Sequence, residues 1–152
     1  MSLPLLSAML LVVGVAGFVG TVLIGRVADW RLDLTLAVLP AIMAAVAVAL
    51  SFHGGLIPLV AALLAVWGFA GTAALVAWWS WLSRTVPDAA EAGGRLMVAV
   101  IQLAITLGAP VGGFVFDAMG PAPEFQVSSL VLIAAALAAF VGIKRQKLTP
   151  EQ

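Results

Sequence analysis

Few residues in this 152-residue chain are equipped for chemistry. The densest group is Gly25-Arg26-Val27-Ala28-Asp29-Trp30-Arg31, an acid held between two arginines directly after a run without charge. A second set is Gln102, Thr106 and Pro110, each four residues from the next, which puts them on one face of a helix. An amide, a hydroxyl and a carbonyl freed by the proline would form a polar strip. That strip could line a cavity or supply hydrogen bonds between helices. Trp67 and Phe69 could stack on an aromatic ligand, or simply face lipid or core.

Other chemistries lack their residues. The chain has no Cys, so it offers no disulfide, thiolate nucleophile or thiolate metal site. Its one histidine, His53, stands alone in a loop, without partners for a metal or proton role. No paired carboxylates and no Ser/His/Asp set appear. Neither an enzyme nor a bound metal or cofactor is expected.

The elements that position these residues follow from composition. Hydrophobic residues make up 64% of the chain and charged ones only 9%, against about 25% charged in an ordinary soluble domain. So small a globule could not hide that much apolar surface. The solvent must be lipid. Net charge is zero, which gives nucleic acid no electrostatic hold.

A bilayer core about 30 Å thick takes about 20 apolar residues in a helix. Five stretches meet that length, at about 3–25, 34–52, 57–81, 95–116 and 125–143. The expected fold is all-α, a polytopic transmembrane bundle of five spans. Gly14, Gly17 and Gly20 lie along the first, where small residues let backbones approach. Asp33 is placed to cap the second, and Pro40 to kink it. Gly54 or Gly55 is placed to close the second span, and Pro58 to open the third. Trp78, Trp79 and Trp81 at the end of the third read as an aromatic belt. Asp88 to Glu91 reads as a capping box, and Glu91 and Arg95 as a helix-surface pair worth about 0.2–0.5 kcal/mol. A bend is expected at Gly108-Ala-Pro-Val-Gly-Gly113, with Asp117 at the outer end of that span.

Five spans put the termini on opposite sides. All seven Lys and Arg, from Arg26 to Lys147, then fall on one side and none on the other. The positive-inside rule makes that side cytoplasmic, so the N-terminus is expected outside and the C-terminus inside. The first basic residue follows the first apolar run instead of preceding it, so that span is expected to insert and stay. Arg26 costs about 2.5–3.5 kcal/mol at a bilayer centre, which fixes the depth of the first helix.

Gly25-Arg26-Val27-Ala28-Asp29-Trp30-Arg31 resembles the cytoplasmic loop motif of the major facilitator superfamily of transporters. Gly25 matches the leading glycine, Val27 the apolar position, Ala28 the small one and Asp29 the acid. Trp30, Leu32 and Asp33 depart from the pattern, as a second copy of the motif between helices eight and nine does. The stretch from Gly108 to Gly113, with Asp117 and Gly120, is similar to helix eleven of the drug- and sugar-efflux branch. The resemblance implies a partial C-terminal half-bundle, helices eight to twelve, in an integral protein of a bacterial inner (plasma) membrane. It implies efflux of a small molecule, drug or sugar, by rocking of two half-bundles about a midplane site. Gly25, Arg26, Asp29 and Arg31 would form the conformational-switch loop, and Gln102, Thr106 and Pro110 the cavity lining. Proton coupling is possible within such a family, with its key acid expected in the part not present.

The partners expected are therefore the lipid bilayer, a missing N-terminal half-bundle and an unknown small-molecule substrate. Since Met1 stands almost directly inside a helix, a partial or truncated chain lacking helices one to seven is the first expectation. The alternatives are a small self-associating membrane protein using its glycine faces, or a non-transporting membrane scaffold.

Overall fold

The structure is a computed structural model that describes the backbone of residues 3–148 and the side chains of residues 3–26 and 31–144. Five helices are long and apolar enough to cross a membrane. They are α1 (Leu3–Arg26), α2 (Arg31–His53), α3 (Ile57–Thr85), α4 (Ala90–Met119) and α5 (Pro121–Leu148). A short 3₁₀ turn, Pro87–Ala89, leads into α4. The chain is an all-α integral membrane protein.

The helices run past the apolar stretches that announce them. α5 starts at Pro121 instead of near Phe125, because Pro121 and Pro123 sit in a first turn that needs no N–H. Helix α2 is already under way at Arg31, so Asp33 lies in its first turn and not at the cap. Among the described residues only Gly120 has positive φ, at 87°. Gly54 and Gly55 therefore close α2 through a plain turn, with the Leu56 amide donating to the His53 carbonyl at 3.2 Å. The capping box does not form: Ala89 is the cap residue of α4, without a side-chain bond. The backbone inside α2 leaves helical geometry only at Arg31, so Pro40 does not break it. Helix α4 also continues through Pro110 without a break.

Packing begins where α1 crosses α3. A Cβ added to Gly20 would lie 2.5 Å from the Phe69 carbonyl oxygen, and one at Gly68 would collide with that of Val13. Only glycine allows the two backbones this close. The Thr72 hydroxyl fills the remaining gap by donating to the Gly17 carbonyl at 2.8 Å. Leu32, Leu36 and Leu39 of α2 then pack on Ala70, Ala73 and Ala77 of α3, with Ile24 of α1 closing the cluster. The leucines recur at helical spacing, and the alanines give them room.

Helix α5 lies along α2. Helix α4 is the outlier. No residue in its apolar window is buried, against 44% of the window of α2. It meets α3 at the end where Trp79 lies over Gly94, with a Cβ there only 3.1 Å from the indole. Trp78 and Trp81 meet edge to face at 5.6 Å at the same end of the bundle. The Arg95 guanidinium donates to the Glu91 carboxylate across one helical turn. Both side chains are about four-fifths exposed, 79% and 82%, and such a surface pair adds well under about 1 kcal/mol.

Two outcomes follow from the crossing. Gly68→Val should separate α1 from α3 at a cost at or beyond the upper end of ~1–3 kcal/mol, read as loss of the folded species in a detergent-unfolding titration. Thr72→Val keeps the shape and removes one interhelical bond, so it should cost about 0.6 kcal/mol and no more than about 2 in the same titration.

Candidate functional site

The charged group after α1 marks a reversal of the chain. Ile24 and Leu32 both join the cluster that contains Ala77, so α1 and α2 meet α3 at one end. The change of direction is concentrated at Arg31, with φ −150° and ψ 60°. The Thr35 hydroxyl donates to the Arg31 carbonyl at 2.9 Å and ties down the start of α2. Gly25, Arg26 and Arg31 are exposed. Asp29 lies outside the residues whose side chains are described, as do Arg145 and Lys147 near the C-terminus. Arg26 and Arg31 thus stand at one end of the bundle, with Arg84, Arg95 and Lys144 at the matching ends of α3, α4 and α5.

Gln102, Thr106 and Pro110 do share one face of α4, and all three are exposed. Their strip is less polar than the residue types suggest. The Thr106 hydroxyl is spent on its own helix, donating to the Gln102 carbonyl at 2.8 Å. Pro110 has no N–H for the Thr106 carbonyl, so that acceptor remains on the strip. The strip lies on the helix that the rest of the bundle leaves least covered. Asp117 is exposed in the last turn of α4.

Two arrangements of side chains were not anticipated. Asp33 faces Trp78 and Trp81 in a cavity of about 460 Å³ between α2, α3 and α5, at the basic end. The second lies toward the opposite end. Glu124 and Ser128 of α5 face Gly112 of α4 and Trp67 of α3 around a cavity of about 330 Å³. The Ser128 hydroxyl donates to Glu124 Oε1 at 3.0 Å. A Cβ at Gly112 would come within 3.7 Å of the same oxygen, so the glycine leaves space beside the carboxylate. Setting the fifth span at 125 excludes this acid by one residue. The available signal was the run Pro121-Ala-Pro-Glu124 with Ser128 four residues on: prolines that open a helix, then an acid and a hydroxyl on one face. No group of three or more His, Cys, Asp or Glu that could hold a metal occurs among the described residues.

Comparison with known proteins finds similarity to a regulatory protein and to an efflux pump. It is 48% identical over 130 residues to the transcription regulatory protein OpdE of Pseudomonas aeruginosa, covering 86% of this chain and 32% of OpdE. It is 33% identical over 142 residues to the purine ribonucleoside efflux pump NepI of Escherichia coli K12, covering 93% of this chain and 36% of the pump. The NepI of Shigella flexneri matches to the same extent. No family model and no solved structure matches. The chain spans about a third of the length of these curated relatives, and its similarity to an efflux pump runs through all five of its membrane helices.

Proposed function

We propose that this chain is the C-terminal part of a major facilitator-type efflux carrier, helices eight to twelve, exporting a purine ribonucleoside from a bacterial cytoplasm. The observation that carries the proposal is the similarity to the NepI pump across 93% of the chain. A ribonucleoside joins a sugar to an aromatic base, so it narrows the drug-or-sugar expectation to one molecule that has both parts.

The geometry supports the reading. A two-bundle carrier binds near the bilayer midplane, between its halves. Helix α4 carries Gln102, Thr106 and Pro110 on an uncovered face and has room beside it for the other half. All basic residues fall at or near one end of the bundle, and the positive-inside rule supports a cytoplasmic side there and an N-terminus outside. Gly25 and Arg26 end α1 and Arg31 begins α2 at that end, and together with Asp29 they make the proposed switch. There a switch between inward-open and outward-open states would act against the partner half-bundle. Proton coupling would supply the driving force from outside this chain. The membrane is the inner (plasma) membrane.

A second reading has its own support. The higher identity is to OpdE, whose name is regulatory, and this favours a membrane protein that acts as a scaffold without transport.

Deleting the gene in its host should raise retention of radiolabelled inosine several-fold, with reversal on restoring it. Unchanged retention would select the non-transporting reading. The orientation has a separate check. An antibody to the tail after Lys144 should bind only after cells are permeabilised, and binding to intact spheroplasts would invert the topology.

A further inference from the structure

We infer that the cavity between α3, α4 and α5 is a ribonucleoside subsite in which Glu124 holds the sugar diol and Trp67 stacks on the base. The inference rests on the nucleoside reading above and adds the residues that would read the ligand.

Consider first where the cavity lies. Trp67 is ten residues into α3, so it stands ~15 Å from the end of that helix. Glu124 is in the first turn of α5, ~5 Å from the same face of the bundle. The cavity therefore reaches from the outer end of the bundle to about half the depth of a bilayer core. Its volume of about 330 Å³ lies within the range of small-molecule sites, about 300–1,000 Å³.

The lining has the mixture such a ligand requires. Most of it is apolar, from Val111, Val115 and Val127. Against that wall stand a carboxylate, a hydroxyl and an indole. Ser128 is the only hydrogen-bond partner of Glu124 among the described residues. A carboxyl group has two oxygens with several lone-pair sites, so Glu124, with Ser128 on one of them, keeps acceptor capacity for further donors. The vicinal hydroxyls of a ribose are two such donors, and an acid on a ribose hydroxyl is how dinucleotide folds read the sugar. The indole offers a flat apolar surface that takes any purine. Gly112 lies beside the carboxylate, where a Cβ would come to ordinary contact distance, 3.7 Å, of Glu124 Oε1.

The arrangement predicts discrimination by the sugar. The purified chain in lipid nanodiscs should bind inosine at least tenfold more tightly than 2′,3′-dideoxyinosine, measured by equilibrium dialysis with labelled nucleosides. Glu124→Gln should bring both to the same weak affinity and so abolish the ratio. Trp67→Leu should weaken both at least fivefold and keep the ratio. Helicity by circular dichroism checks that each variant is folded, and Glu124→Asp should restore part of the ratio. A ratio that survives Glu124→Gln would overturn this subsite and leave the nucleoside reading standing. Failure of the unsubstituted chain to bind either nucleoside would overturn this subsite, and the retention assay above decides the nucleoside reading separately.

Discussion

The close crossing of α1 over α3 is the constraint on which the rest of the bundle depends. In lipid there is no hydrophobic drive between helices, so packing must come from close approach and from hydrogen bonds. Gly20 and Gly68 permit that approach, and Thr72 uses it to reach the Gly17 carbonyl at 2.8 Å. Once α1 and α3 are locked, the reversal at Arg31 lays α2 against the alanine face of α3. Helix α5 then follows α2. Each later step borrows its position from the first.

The same logic explains why α4 stands apart. It lacks a glycine crossing of the kind that joins α1 to α3. Gly108 and Gly113 have nothing near the position of a Cβ. Gly94 under Trp79 fastens only the basic end. Away from that end α4 diverges, and two consequences follow. One face presents Gln102, Thr106 and the carbonyl left by Pro110. The other opens the cavity that holds Glu124. The bundle is packed most closely through α1, α2 and α3, and α4 is its least buried helix.

Much of this was legible in the sequence, and the misses share a cause. The five spans follow from apolar length alone, because the bilayer enforces that length. The glycine crossing followed in part: Gly17 and Gly20 are used by α3, whereas Gly14 has nothing within 4 Å. The Glu91–Arg95 pair forms as its spacing predicts. The local end signals fared worse. Asp33 and Asp88 have residue types that start helices in water, yet neither does so in the expected way, whereas α2 does end at Gly54 and Gly55, through a plain turn. Backbone groups near lipid gain from every additional helical bond, so the helices overrun their apolar limits. That overrun carried Glu124 into the bundle. Pro40 and Pro110 lie inside helices that continue past them.

The central claim is that the exposed strip on α4 faces an aqueous path and not lipid. These 152 residues contain no cysteine, so labelling of each variant is read against the unsubstituted protein. Gln102→Cys, Thr106→Cys and Leu137→Cys can each be treated with a membrane-impermeant charged maleimide in native membranes. A carrier lined by α4 predicts rapid labelling at 102 and 106 and almost none at 137, on the apolar flank of α5. Equally slow labelling at all three positions would contradict it, because the strip would then be buried in lipid or in a dry helix interface.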